Sequence, residues 1–213
     1  MTKTGPAASE SRTFGGLGLS EHVEPREAPD AAAEEALVRR AQGGDRDAFR
    51  SLYQAYQDRV FATAYRIAGD RETAADLTQE VFVKVFEELP GFRFGSRFST
   101  WLYRVAANHA INKASETARH ARLNERLARG RPSVAPAAPG VYDRFADERI
   151  QAALDGLSVK LRAVTVLRYL EGLSYEEIAE TLDLSVGTVK SRLFLAHATL
   201  KESLDDLVRD VGP

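Results

Sequence analysis

The sequence predicts an all-α protein of two small helical domains joined by a flexible linker, with a helix-turn-helix in the second domain. Apolar residues recur every three or four positions along two long stretches, which is the spacing of helices that bury one face. Prolines and a glycine interrupt this periodicity at Pro132, Pro136, Pro139 and Gly140. We therefore predict a disordered tail over 1–30, domains over 31–119 and 148–207, a linker over 120–147 and a short tail over 208–213.

The composition excludes several classes of protein. The 213 residues include no cysteine, so thiolate zinc clusters, disulfide frameworks and direct thiol redox sensors are ruled out. The chain has no apolar run near the roughly 20 residues that a membrane-spanning helix needs, and its N-terminus lacks the pattern of a secretory signal. We expect a cytoplasmic protein with no direct membrane insertion, no cofactor and no metal.

Enzymatic motifs are also missing from the sequence. It has no Walker or dinucleotide-binding glycine pattern, no nucleophile elbow and no paired-histidine zinc helix. The acidic residues Glu176, Glu177 and Glu180 fit the polar side of a solvated helix better than an acid catalyst or a metal site. We predict no catalytic residues and no enzyme activity.

Charge is distributed unevenly along the chain. The net charge of −2 does not by itself predict binding to a polyanion. Residues 112–131, however, carry more basic than acidic side chains. This local excess is compatible with a solvated helix face or with contact to nucleic acid.

In the first domain, two helices begin at capping aspartates. Asp45 precedes a row of apolar residues that extends through Tyr53 to Ile67, and Asp70 precedes a second row. The second helix carries polar residues and two phenylalanines close together on its other side, at Asp76, Gln79, Glu80, Phe82 and Phe86. This mixture predicts a surface for a partner, although core packing is an alternative explanation for the phenylalanines.

A third helix in this domain combines aromatic, cationic and amide groups. Ser99 is the predicted cap, and Leu102, Val105 and Ala106 form the buried side. A neighbouring side carries Trp101, Arg104, Asn108, Asn112 and Lys113. Aromatic rings stack on unpaired bases, while Arg, Lys and Asn bind phosphates and base edges, so this set suits melted DNA. The alternative is that Trp101 only covers the core.

The second domain contains a helix-turn-helix pattern. Ser174 and Glu177 form a predicted capping box, and Ser185 can cap the helix that follows the turn. That second helix leaves Thr188, Lys190, Ser191 and Arg192 facing outward. Residues placed in this way can enter the major groove of DNA, whereas a purely structural helix pair is the alternative interpretation.

Three motifs in series resemble the extracytoplasmic-function sigma factors of bacterial RNA polymerase. The motifs are DLTQEVF at 76–82, FSTWLYRVA at 98–106 and GTVKSR at 187–192. The resemblance covers roughly residues 31–205. It implies a non-catalytic factor that directs core polymerase to specific promoters and melts the minus-ten element to initiate transcription.

The resemblance also implies roles for individual residues. Asp76, Gln79, Glu80 and Phe82 match the helix that grips the clamp of the largest polymerase subunit. Trp101, Arg104, Asn108, Asn112 and Lys113 match positions that meet the opened minus-ten strand. Thr188, Lys190, Ser191, Arg192 and Phe194 belong to the recognition helix that reads minus-thirty-five DNA, where Leu195 and His197 replace arginines common in relatives. The flap of the second-largest subunit and an anti-sigma factor are the other implied partners.

Two other functions fit parts of the sequence. A stand-alone helix-turn-helix regulator would bind duplex DNA tightly without polymerase, usually as a dimer. An interaction module would only dock proteins and would ignore DNA at any salt concentration.

Overall fold

The structure is a computed structural model that describes the backbone of residues 30–127 and 143–210 and the side chains of residues 30–120 and 148–201. All regular secondary structure in these ranges is helical, which confirms the predicted all-α class. The predicted N-terminal tail and the proline-rich middle of the predicted linker lie outside the described residues.

The helices form two units along the chain. The first unit contains α1 Ala31–Gln42, α2 Arg46–Ala68, α3 Arg71–Glu88, a 3-10 turn Leu89–Gly91 and α4 Phe98–Leu127. The second unit contains α5 Asp143–Asp155, α6 Val159–Tyr169, α7 Tyr175–Leu182 and α8 Val186–Asp210. The end of α4 and the start of α5 extend into the range 120–147 that the sequence predicts as linker.

Side-chain caps determine where the helices of the first unit begin. The Asp45 carboxylate accepts hydrogen bonds at 3.0 Å from the backbone N–H groups of Asp47 and Ala48, and Asp70 accepts one at 2.7 Å from Thr73. These bonds hold the pKa of both aspartates below the usual range. The predicted Ser99 cap is wrong, because α4 already begins at Phe98 and Ser99 lies within its first turn.

The first unit has its own apolar core between α1, α2, α3 and α4. Fully buried residues such as Leu52, Val60, Val85 and Leu102 meet there. Tyr56 is also fully buried, and its hydroxyl donates to the buried carboxylate of Glu34 on α1. This bond satisfies two buried polar groups and attaches α1 to the bundle.

A second apolar core is shared between the two units. From α2 and α4 it takes Ile67 together with Ala64, Ala107 and Ala110, and the small side chains of the three alanines allow close approach of helices. From the second unit it takes residues of α6, α7 and α8, among them Val164, Leu167, Ile178, Val189 and Leu193. The second unit therefore packs directly on one end of the first.

The helix-turn-helix is built from α7 and α8. Ser174 Oγ accepts from the Glu177 N–H at 3.1 Å, and the Glu177 carboxylate accepts from the Ser174 N–H at 2.8 Å, which confirms the predicted capping box. Asp183 turns the chain with a left-handed backbone, φ +51°. Ser185 Oγ then accepts from the Thr188 N–H at 3.1 Å, as the sequence predicts.

Replacing Ser174 with alanine removes the hydroxyl that caps α7. We expect Ser174→Ala to lower the free energy of unfolding by about 1 kcal/mol, because one N–H at the start of the helix loses its partner. Urea unfolding followed by circular dichroism measures this change. The matched control is Ser51→Ala, whose exposed hydroxyl only donates to the Asp47 carbonyl of its own helix. Equal stability of the two variants would contradict the assigned cap.

Candidate nucleic-acid interface

Trp101 is held in place by an aromatic cluster at the start of α4. Its half-buried indole packs against Phe92 at 5.2 Å and Phe98 at 5.8 Å between ring centroids. Phe92 in turn contacts Phe94 at 5.0 Å. The ring therefore both covers the core of the first unit and remains partly accessible. A role in covering the core is thus compatible with stacking on a DNA base, the two alternatives that the sequence leaves open for Trp101.

The other predicted minus-ten residues lie in two environments. Asn108, Asn112 and Lys113 are exposed on α4. Arg104 is less accessible, because its guanidinium donates to the carboxylate of Glu180 on α7. Asn112 and Lys113 line a polar groove between α3 and α4, whose opposite wall includes Asp76 and Glu80. The structure thus brings part of the minus-ten set beside the residues predicted to bind polymerase.

The predicted polymerase-binding residues on α3 differ in accessibility. Asp76, Gln79 and Glu80 are exposed, and Glu80 Oε2 lies 3.8 Å from His109 Nδ1 on α4. Phe82 is only 5% exposed and belongs to the core, where its ring contacts Tyr53 at 4.7 Å. Direct contact between the Phe82 ring and a partner is therefore not supported by its position.

Two exposed apolar residues lie on the same helix, of which the sequence analysis missed Val83. Val83 is 59% exposed and Phe86 is 55% exposed, and the Phe86 ring packs edge-on against Phe49 of α2. The helical phase of Phe86 indicates this exposure, since Phe86 lies further around the helix than Phe82 from the buried row of Val81 and Val85. Tyr53, predicted to be core, is 37% exposed beside them.

Only some of the predicted DNA-binding side chains on the recognition helix α8 are freely accessible. Lys190 is exposed, with Nζ 5.8 Å from the centroid of the Tyr175 ring, and Phe194 is 73% exposed. Arg192 is half-buried. The Ser191 hydroxyl donates to the Gly187 carbonyl at 2.9 Å, and the Thr188 hydroxyl lies 2.9 Å from Ser185 Oγ. Both hydroxyls thus already have partners at the start of α8.

The two positions that depart from the arginine-rich pattern lie on the exposed side of α8. Leu195 is 54% exposed. His197 Nε2 lies 2.6 Å from the hydroxyl of Tyr169 on α6, which is itself 58% exposed. This part of α8 therefore offers DNA fewer fixed positive charges than arginines would supply.

Polar contacts join the two units around the shared core. The Glu171 side chain is 2% exposed, accepts from the Thr63 hydroxyl at 2.5 Å, and lies 3.4 Å from the Arg59 guanidinium. Burial raises the pKa of the Glu171 carboxyl. Glu177 accepts from Thr100 Oγ1 at 3.1 Å. Because these partners are far apart in sequence, no local pattern could have indicated the contacts.

Within the described residues, no helix is both long and apolar enough to cross a membrane. The same residues contain no group of three or more His, Asp or Glu side chains placed to hold a metal ion.

Comparison with known proteins identifies the family. Residues 52–120 match sigma-70 region 2, and residues 147–200 match sigma-70 region 4. The RNA polymerase sigma-H factor of Pseudomonas aeruginosa is 34% identical over 83% of this chain and 96% of its own length. The ECF RNA polymerase sigma factor SigW of Bacillus subtilis is 32% identical over 80% and 96%. The chain belongs to the extracytoplasmic-function family of RNA polymerase sigma factors.

Solved structures agree with this assignment. A structure of CnrH in complex with the cytosolic domain of CnrY is 25% identical, has a TM-score of 0.63 and covers 82% of this chain and 98% of its own. The sigma factor RpoE of Bartonella quintana, in complex with the anti-sigma factor NepR, has a TM-score of 0.59 at 25% identity and covers 74% and 96%. Because the likeness spans both helical units, it favours a sigma factor over a stand-alone helix-turn-helix regulator.

The buried carboxyl of Glu171 should make stability depend on pH. Its pKa is raised in the folded state, so the folded protein binds this proton more tightly than the unfolded chain does. Relative to Glu171→Gln, the wild-type free energy of unfolding should therefore be greatest below the carboxyl's ordinary pKa and fall as pH rises through its raised value.

Urea unfolding of both proteins between about pH 4 and pH 7 tests this expectation. Glu176→Gln serves as the control, because Glu176 is an exposed glutamate on α7. The difference in free energy of unfolding between this variant and the wild type should change little with pH. If the free energy of unfolding of the wild type, relative to Glu171→Gln, increased with rising pH, burial would not be the dominant influence on the pKa of Glu171.

Proposed function

We propose that this sigma factor divides promoter recognition between its two units, with α4 binding the opened minus-ten strand and α8 reading minus-thirty-five DNA. The observation that carries the proposal is the fixed, half-exposed Trp101 on the same side of α4 as Arg104 and Asn108. In this proposal the factor has no catalytic activity of its own and works in the cytoplasm, on the nucleoid during transcription.

Binding of a melted strand requires a platform that is already formed. Extruding a base from the duplex costs a few kcal/mol, and stacking on an aromatic ring returns about 1 to 3 kcal/mol. The contacts of Trp101 with Phe92 and Phe98 restrict its ring, so little side-chain entropy is lost on binding. Arg104 and Asn108 supply donors to phosphates and base edges one and two turns further along α4.

Recognition of duplex DNA is assigned to the predicted side chains of α8. Lys190 is exposed near the start of α8, where a recognition helix enters the major groove. Phe194 is free to contact a thymine methyl group or sugar. Ser191 and Thr188 can still accept hydrogen bonds, and Arg192 stays in the proposed set as a phosphate contact.

The polymerase contact has an acidic part and an apolar part. Asp76, Gln79 and Glu80 supply exposed polar groups on α3. Val83 and Phe86 supply exposed apolar area beside them, and Phe82 supports this surface from the core. We assign the combined surface to the clamp of the largest subunit of core polymerase, and the second unit to the flap of the second-largest subunit.

An anti-sigma factor is a further proposed partner. Support comes from the similar fold of RpoE, whose solved structure contains the anti-sigma factor NepR. The proposed inhibitor would bind this chain across its two units. A pull-down from unstressed cells that recovers no inhibitor would count against this partner.

Run-off transcription with purified core polymerase tests the division of roles. Trp101→Ala should reduce the yield of open promoter complexes roughly tenfold or more, because a stacking contact is lost, while Trp101→Phe should retain most of the yield. Permanganate reactivity of unpaired thymines measures opening directly. If Trp101→Ala opens promoters as well as wild type does, the minus-ten role of α4 is wrong.

A second experiment concerns Lys190. Lys190→Ala should weaken capture of duplex promoter DNA by holoenzyme and lower the salt dependence of binding by about one counterion. Binding measured between about 50 and 200 mM salt gives the slope. Lys201→Ala removes an exposed cation further along the same helix and is the matched control. Equal slopes for both variants would remove Lys190 from the interface.

A further inference from the structure

A histidine and a tyrosine form an exposed pair beside the recognition helix. His197 Nε2 of α8 lies 2.6 Å from the hydroxyl of Tyr169 on α6, and the two ring centroids are 5.6 Å apart. Both side chains are exposed to solvent. A surface imidazole is otherwise free to rotate, so this contact restricts the direction in which its second nitrogen points.

His197 lies on the same side of α8 as two residues that we assign to minus-thirty-five DNA. Lys190, Phe194 and His197 are spaced by four and three residues, which places them on one stripe of a helix. At about 1.5 Å per residue, His197 is roughly 10 Å further along the helix than Lys190. The major groove is about 8.5 Å deep. A helix whose start enters the groove therefore brings His197 to the groove edge, where the phosphates lie.

The hydroxyl that holds His197 suits either charge state of the imidazole. The Tyr169 hydroxyl can donate to a neutral ring nitrogen or accept from a protonated one. Burial raises the pKa of this hydroxyl, so it keeps its proton at neutral pH. When the imidazole is protonated, Nε2–H donates to Tyr169 and Nδ1–H is left to donate to another group. A phosphate oxygen there would complete a charge-assisted hydrogen bond.

The ionisable groups on this side of the second unit are cations and phenols. α6 and residues 186–201 of α8 contain no acidic residue. The Tyr175 ring of α7 lies 5.0 Å from the Arg168 guanidinium and 5.8 Å from Lys190 Nζ. On α8 itself, Lys201 follows His197 by four residues. This surface therefore attracts an anion from outside the protein.

The acidic residues of α5 and α7 do not hold the imidazole. Asp155 of α5 pairs with Arg162, and Glu180 of α7 pairs with Arg104. Among the described side chains, no ion pair reaches the ring from the other carboxylates of these two helices, which are Glu148, Glu176 and Glu177. A protonated His197 thus has no counter-ion within the described residues, and a DNA phosphate can serve as one.

We propose that His197, positioned by Tyr169, is a phosphate contact in minus-thirty-five recognition that forms when its imidazole is protonated. A lysine or arginine supplies a fixed charge, whereas the charge of a histidine depends on pH. Because the phosphate favours the protonated imidazole, affinity for duplex promoter DNA should be greatest at low pH and fall as pH rises. The contact requires α8 to read minus-thirty-five DNA and therefore rests on that proposed function.

Two substitutions at His197 fix its charge and bracket the wild type. His197→Arg is always cationic and His197→Gln is always neutral. Holoenzyme binding to one duplex promoter fragment is measured for all three proteins between about pH 5.5 and pH 8, where a histidine changes charge. Comparison with His197→Gln at each pH removes the contributions of other titrating groups.

The wild type should change from one limit to the other across this range. Near the low end it should bind roughly threefold to tenfold more tightly than His197→Gln, because one charge-assisted hydrogen bond is added. Near the high end the two should bind equally, whereas His197→Arg should keep its advantage throughout. A ratio of wild-type to His197→Gln affinity that does not change with pH would overturn the proposal.

The salt dependence of binding identifies the bound group as a phosphate. At about pH 5.5 the slope of affinity against salt should be steeper for the wild type than for His197→Gln by about one counterion, and at about pH 8 the slopes should coincide. If the wild type bound more tightly at low pH with slopes that coincide at both pH values, the assignment to a phosphate would be wrong.

Tyr169→Phe tests the positioning role, because it keeps the ring and removes the hydroxyl. Tyr169 is 58% exposed, so helical content measured by circular dichroism should be unchanged. The variant should bind promoter DNA about threefold more weakly than wild type at low pH and equally at high pH. In a His197→Gln background it should have no effect at either pH. An equal loss at both pH values would show that Tyr169 does not act through His197.

Failure of the proposed function gives a different result from failure of this contact. If α8 does not read duplex DNA, both Lys190→Ala and His197→Arg should bind the promoter fragment as wild type does at every pH. If only the His197 contact is wrong, Lys190→Ala still weakens binding, while the ratio of wild-type to His197→Gln affinity stays constant.

Discussion

The packing of α6, α7 and α8 against α2 and α4 is the constraint on which the rest of this structure depends. Alanines at 64, 107 and 110 let the helices approach, and a single buried cluster extends across both units. The remaining features follow from this contact. It buries Glu171, it orients α7 along α4, and it reduces the accessibility of Arg104.

Much of the local structure could be predicted from the sequence. The caps at Asp45, Asp70, Ser174 and Ser185 depend on residues a few positions apart, so short patterns were sufficient. The prediction of a cap at Ser99 was wrong because Phe98, the residue before it, is buried and forms the first residue of α4. Tertiary packing overrode a local preference for serine at a helix start.

The candidate site could be predicted only in outline. Residue types and spacing indicated which helices are candidates for binding DNA and polymerase, but not the exposure of each side chain. Phe82 and Phe86 lie one turn apart on α3, yet one is core and the other is surface. That difference depends on how α3 rotates against α2. The pairing of Arg104 with Glu180 likewise depends on two elements separated by most of the chain, for which a single sequence contains no signal.

The carboxylate of Glu177 serves two structures at once, and this restricts how the protein can evolve. One oxygen completes the cap of α7 and the other accepts from Thr100 of the opposite unit. Any substitution there changes helix stability together with domain contact, so selection cannot adjust the two separately. Glu180 and Glu171 carry no such double duty in capping. The contact between the two units can therefore change at these two positions without loss of the α7 cap.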